Sequence, residues 1–381
     1  MTHARLSKRH RLGALLALGG LCASAQAVDF SWSGFANVTA SKVVSGSGLD
    51  IGYPDTTQWT NCPCFISDFS HGSVIESKWS LTPESRLGLQ GSWTFDPKWS
   101  FTAQAMARHS AQKAKLELEW AYLSYALTPE WTLQAGRKRL PLFYYSDYQD
   151  VSFAYTWARV PPDVYGWAVV NYNGANITYR SDVMGWAVKS SAYVGQEHTK
   201  DNPIARLESP VPAQIDWDNM WGADLELTRD WFTMRIAYNS SKQRLVREGV
   251  QTSPDPALFG KNSKQSFASI SFNVDKDDLI VRSEFSKVDR SPARGSYFGY
   301  LVGVGYRFGN FTPMFTMSQL RAYDNDFSVL AERDKLRTFT LRYQLNDSSS
   351  LKFQYDRSHW DYLNGTDTLR KVVTLSYDTV F

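Results

Sequence analysis

From Phe30 to Phe381, apolar and polar residues alternate with a period of two in segment after segment, and the connections between segments are alternately short and long. Successive side chains of a strand point to opposite faces, so such alternation means β-strands with one apolar and one polar face. Phe30, Trp32, Ala36 and Val38 share a face against Ser31, Ser33 and Asn37. Leu87, Leu89, Gly91, Trp93 and Phe95 share one against Arg86, Gly88, Gln90, Ser92 and Thr94. The pattern continues to the C-terminus, where Val373, Leu375 and Tyr377 precede the terminal Phe381. Only around 116–127 is the parity ambiguous, because both faces turn apolar after Trp120. Turn chemistry such as Asp96-Pro97-Lys98 and Thr128-Pro129-Glu130 marks the short connections. The count comes to about sixteen strands, with both termini on the short-turn rim.

The first 27 residues read as an export signal. Arg5, Lys8, Arg9 and Arg11 precede the apolar run from Leu12 to Leu21, and Ala25-Gln26-Ala27 has the small-x-small form of a cleavage site. Residues 28–381 then form one domain. The signal holds four of the 41 basic residues and none of the 38 acidic ones, leaving 37 against 38, so no bulk charge favours nucleic acid. No run of 18 apolar residues follows, which excludes a membrane-spanning helix from the remainder. Yet the chain is 14% aromatic, with 14 Trp and 20 Tyr. An exported chain that is polar on average and rich in these residues fits a transmembrane antiparallel β-barrel, with polar lumen, apolar belt and aromatic girdles. Such a barrel is also the closed sheet that leaves no backbone group unpaired in lipid. On the alternation, Leu341 is expected to face lipid and Thr340 the lumen, where an Arg at 340 is expected to be tolerated.

One connection is anomalous. Between the strand ending near Ala135 and the strand containing Ala175, Ile177 and Tyr179 lie about thirty residues, Gly136 to Gly166, with no helical period. Tyr144, Tyr145, Tyr148, Tyr155 and Trp157 make this loop too aromatic to be disordered, and Pro141, Pro161 and Pro162 stiffen its ends. These rings are expected to pack the loop against the inside of the barrel, the alternative being a stacking track for a sugar or an aromatic solute.

Three local sequences make the chain resemble the general porins of Gram-negative bacteria: Ser85-Arg86-Leu87-Gly88-Leu89-Gln90-Gly91, Gly136-Arg137, and the terminal Phe381, expected with Tyr377 to carry the assembly signal. The resemblance implies a sixteen-stranded, trimeric outer-membrane barrel in contact with lipid and lipopolysaccharide. Its third extracellular loop, here Gly136 to Gly166, would fold inward to narrow a passive, water-filled pore for ions and small hydrophilic solutes. The second extracellular connection, His109 to Lys115, is short for a latch onto a neighbouring subunit. An inward loop would place Asp147 and Asp150 at the constriction, facing Arg86 on the wall. Arg137 and Arg159, near the loop's ends, would either line the pore or pin the loop. Where general porins carry a basic residue on the fourth strand, this chain has Glu117 and Glu119, so mild cation preference is expected.

Cys62-Pro63-Cys64 lies in a loop on the oxidising side of the envelope; a bridge between the two is the expected state, with metal capture or an intermolecular link as alternatives. His71, His109, His198 and His359 fall in predicted loops, where a solvated imidazole is the default. An enzymatic barrel would need a nucleophile and base on one face, and no His shares a strand face with a Ser in the predicted strands. A channel specific for a sugar or a small organic or aromatic acid is the nearer rival to a general pore. No cofactor or metal is expected.

Overall fold

The computed structural model describes residues 28–47, 62–111, 113–209, 211–252, 262–291, 296–322, 331–362 and 367–381. The export signal expected over residues 1–27 lies outside them. The chain runs as β1 (Asp29–Ser47), β2 (Phe65–Asp68), β3 (Ser73–Ile75), β4 (Arg86–Thr94), β5 (Trp99–Ser110), β6 (Lys113–Ala126) and β7 (Trp131–Arg139). After the long loop come β8 (Asn171–Val183), β9 (Trp186–Thr199), the short helix α1 (Pro203–Glu208), β10 (Ala213–Arg229), β11 (Phe232–Arg247) and β12 (Val250–Thr252). The last seven are β13 (Ser263–Lys276), β14 (Leu279–Ser291), β15 (Tyr297–Tyr306), β16 (Phe311–Ala322), β17 (Ala331–Asn346), β18 (Ser349–Tyr362) and β19 (Asp367–Val380).

Seventeen strands share one sheet; without the three-residue β12, sixteen strands go round the barrel. Each pairs antiparallel with its neighbours in sequence, and β19 returns to β1 with Tyr377 opposite Val38, which closes the ring. The closure is completed by the terminus itself. Phe381 donates to and accepts from the Gly34 backbone at 2.9 and 2.7 Å, and its ring lies 6.0 Å from Trp32. A Cβ on Gly34 would stand 2.5 Å from that ring, so the ring lies directly over the glycine and would have to shift to admit a larger residue.

The outward face is apolar as the alternation requires: Trp32, Leu89, Phe315, Phe339 and Leu375 are exposed, whereas Thr316, Thr340 and Thr374 point inward and are buried. Cross-strand aromatic pairs ring the short-turn rim, including Phe30–Trp93, Trp99–Tyr125, Trp131–Tyr179 and Phe311–Tyr343. These form one of the two girdles a barrel places at the membrane interface. The short turns use Asp230 and Asp277 at φ of 50° and 53°, a conformation Asp tolerates better than most residues.

The parity ambiguity after Trp120 has a structural cause. Gln104 on β5 is opposite Trp120 and the next residue, Ala105, is opposite Leu118, so Glu119 is an extra residue in β6. This bulge lets both Glu119 and Trp120 point inward while Leu116 and Leu118 remain exposed. The first connection holds structure of its own: β1 runs on to Ser47, and β2 and β3 form a separate hairpin. His109 belongs to β5, His198 to β9 and His359 to β18, correcting their placement in loops.

Candidate functional site

The segment between β7 and β8 turns into the barrel. Gly136 sits at φ +140°, and a Cβ there would lie 2.3 Å from the Ala121 carbonyl oxygen, so only Gly fits at this point of β7. Leu140 N donates to Val170 O at 2.8 Å and clamps the loop's base. Leu142, Phe143, Tyr145, Val160, Val164 and Tyr165 form an apolar core with Phe267 of β13, Leu301 of β15 and Met314 of β16. Tyr145 stands 5.5 Å from each of Tyr148, Tyr155 and Trp157, all edge to face, the geometry that aromatic quadrupoles favour. Trp157 is fully buried and donates its indole N–H to Thr316 Oγ1 at 2.8 Å. Tyr145, Tyr155 and Trp157 are therefore packing residues; Tyr144 and Tyr148 are partly buried at the margin of this core.

Three ionic anchors fix the loop to different parts of the wall. In the first, Asp150 accepts from Arg86 of β4 at 2.5 Å, Arg108 of β5 at 3.0 Å and Arg139 of β7 at 2.5 Å. Glu119 pairs with Arg108 and, at 2.9 Å, with Arg139, while Glu117 lies 3.3 Å from Arg108. Three guanidinium groups thus balance three carboxylates. Burial alone would raise the Asp150 carboxyl, but Arg108, Arg139 and Arg86 outweigh it and hold it well below the usual range. In the second anchor, Arg159 pairs with Glu84 at 2.9 Å and with Asp356 of β18, and donates to Thr374 Oγ1 at 2.8 Å. In the third, Lys352 of β18 pairs with Asp378 of β19 at 3.0 Å and donates to the carbonyls of Ser152, Tyr155 and Trp157.

The residues expected at the constriction therefore part company. Asp150, Arg159 and Glu119 are at most 4% exposed and have no solvent-facing field of their own. Arg86 faces Asp150 as expected but is joined to it. Arg137 pairs with Glu197 at 2.8 Å and donates from Nε to Leu118 O, away from the loop carboxylates. Asp147 keeps a side chain 40% exposed, 3.2 Å from Lys189 and 3.9 Å from Arg235. Arg108, Arg139, Glu84, Lys352, Asp356 and Asp378 went unidentified in the sequence; their one signal was a charge at an inward or strand-end position.

Open space remains beside Asp147. One cavity runs along β6 to β11, lined by Trp120, Tyr122, Lys138, Tyr172, Arg180 and Lys189 among others; a second runs towards Gly34, Val380 and Phe381, and Asp147 and Trp120 border both. Across the long-loop end lies the β2–β3 hairpin. Cys62 and Cys64 are joined by a disulfide, Cα atoms 4.5 Å apart, and Cys64, Ile66 and Val74 pack with Leu207 of α1 and Trp360 of β18. At the hairpin turn, Ser70 Oγ donates to Trp167 O of the inward loop at 2.7 Å. His71 is buried, with Nδ1 2.7 Å from Asp68 and 3.5 Å from Arg108, a correction to its reading as a solvated imidazole.

A closed barrel whose third long connection is anchored across its lumen is also what comparison with known proteins returns. No curated protein sequence matches the chain. Three solved structures illustrate the shared fold. The outer-membrane channel DcaP of Acinetobacter baumannii is 12% identical with a TM-score of 0.61, over 93% of this chain and 97% of that one. OmpF of Salmonella typhi, solved with daunomycin, is 14% identical with a TM-score of 0.57 over 92% and 97%. The anion-selective porin of Comamonas acidovorans is 10% identical with a TM-score of 0.56 over 93% and 100%. The family model of Gram-negative porins matches residues 14–361, and the chain belongs to that family: an outer-membrane channel for passive diffusion of small solutes.

Proposed function

We propose that the loop between β7 and β8 is the constriction of this channel, and that solutes pass the open space beside Asp147 with no bond made or broken. The observation that carries this is the arrangement of anchors: the loop is bound to β4–β7 through Asp150 and to β18–β19 through Arg159 and Lys352, so it spans the lumen. Asp147, left between them, sets the local field with Lys189 and Arg235. A permeation role without catalysis is supported by the porin family to which the chain belongs.

Residues 1–27 act as the export signal in this reading, and the aromatic girdle meets lipid and lipopolysaccharide headgroups. A homotrimer is favoured by the edge of β6. Its pairing with β7 begins at Ala121, and Arg137 and Asn171 side chains cover only the Leu118 and Glu119 carbonyls beyond it. Among the described residues, 113–117 keep an edge unpaired with β7, and this edge, with the exposed Leu116 beside it, is the surface another subunit covers in this reading. Reconstitution in a planar bilayer tests the central reading. Stepwise, ohmic conductance in groups of three is expected; protein that assembles as a heat-modifiable barrel and passes no current would refute it.

A further inference from the structure

The wall on the short-turn side of the loop carries charge in an unusual order. Across β8, β9, β10 and β11, the residues directly opposite one another are Arg180, Lys189, Glu226 and Arg235. Like charges directly opposite on adjacent strands destabilise a sheet, and Arg180 and Lys189 are such a pair. Lys189 is relieved by Asp147 at 3.2 Å. Arg235 lies 3.4 Å from Asp224 and 4.0 Å from Glu226. Arg180 has no carboxylate partner among the described residues. Nor has Lys138 of β7, whose Nζ donates to Gln134 and stands 4.8 Å over the Tyr122 ring. Both cations border the same cavity, about 200 Å3 in volume, together with Trp120, Tyr122 and Tyr172.

That combination selects a ligand class. Two lumen cations without anionic partners attract an anion, and the Arg fork matches a carboxylate in two-point geometry. Aromatic side chains around them suit a flat apolar body in preference to a fully hydrated ion. We propose that Lys138 and Arg180, with the rings of Trp120 and Tyr122, form a binding station for small aromatic carboxylates on the short-turn side of the constriction. The channel accordingly prefers anions to cations, the reverse of the mild cation preference expected from Glu117 and Glu119, whose charges are taken up by Arg108 and Arg139. This rests on the reading of the chain as a channel narrowed by the β7–β8 loop.

The test uses the full-length protein in planar bilayers, with benzoate as the anion and benzamide as its uncharged counterpart. In a KCl gradient the reversal potential should report chloride passing more readily than potassium. Benzoate should reduce the chloride current in a saturable manner, and benzamide should not. Arg180→Gln combined with Lys138→Gln should weaken benzoate binding about tenfold or more and lower the chloride preference, while Arg180→Lys with Lys138→Arg keeps the preference. Should the double Gln variant fail to assemble, Arg180→Gln alone, at an exposed position, must still move both quantities. Cation preference in the wild type, equal effects of benzoate and benzamide, or benzoate block unchanged in either Gln variant overturns the station. Those results with normal conductance leave the channel reading standing, whereas absence of conductance removes that reading itself.

Discussion

Replacing Asp150 by Asn tests what holds the β7–β8 loop in place. The carboxylate is 3% exposed and is shared by Arg86, Arg108 and Arg139; after the substitution three guanidinium groups keep only Glu117 and Glu119 as direct ion-pair partners in this cluster, with the Asp68 carboxylate farther off beside His71. Removing one partner of a buried ion pair costs about 3–5 kcal/mol, because the others are left buried and uncompensated. The Arg159 and Lys352 anchors are untouched, so the loop does not leave the lumen; the stretch around the 3-10 turns Ser146–Tyr148 and Ser152–Ala154 loosens instead. An opening equilibrium shifted by that energy changes by about two to four orders of magnitude. In single-channel recording Asp150→Asn should show larger mean conductance and frequent transitions between levels. Adding Arg86→Gln restores two cations to two carboxylates and should return the trace part of the way to wild type. Conductance and noise identical to wild type in Asp150→Asn, or damage that simply adds in the double variant, would mean that this cluster does not hold the loop. The pH dependence has a definite sign. The folded carboxyl lies below its unfolded value, so its contribution is complete above about pH 4 and is lost only as pH falls through the lowered value.

Asp163, by contrast, is a loop carboxyl that burial pushes up to about 7, with the Ser318 hydrogen bond only partly offsetting it and Asp356 adding to the rise. The loop's hold at this point should weaken between about pH 4 and the raised value near 7, and Asp163→Asn should remove that dependence in a pH series of protease accessibility; an unchanged series would refute it. Leu341→Arg, on the lipid face, should harm assembly by about 2–4 kcal/mol if near the midplane, measured by folding into vesicles. Thr340→Arg, expected from the alternation alone to be tolerated, should also fail: Thr340 is fully buried and bonds Gln354, which in turn accepts from Ala158 N of the loop. Normal assembly of Thr340→Arg would show that the loop does not press on β17. Gly34→Val should displace the Phe381 ring and lower the barrel's heat resistance less than deletion of Phe381, which also removes the two backbone bonds to Gly34; wild-type heat-modifiability of Gly34→Val would contradict that packing.

The barrel, its two faces, the short-turn rim and the place of the inward loop are legible in the order of residues alone, because they follow from interactions a few residues apart. Period-two alternation assigns Leu341 outward and Thr340 inward wherever the partner strands lie, and Asp-containing turns and a run too aromatic for disorder are equally local. The state of each charge was decided only by the tertiary structure. Asp150 and Asp147 lie three residues apart on one loop, and nothing local separates them. What does is the wall: Arg86 and Arg108 lie 64 and 42 residues from Asp150, whereas Asp147 meets Lys189 at the open space. The bulge at Glu119 likewise turned an acidic residue that alternation could not place into a buried partner of two arginines. Burial and pairing depend on which strands closure brings opposite the loop, and an expectation of free, field-setting charges becomes a set of anchors once those strands are in place. Arg180 and Lys138 show the converse: nothing local marked them, and among the described residues the folded wall gives them no carboxylate ion-pair partner at the cavity beside Asp147.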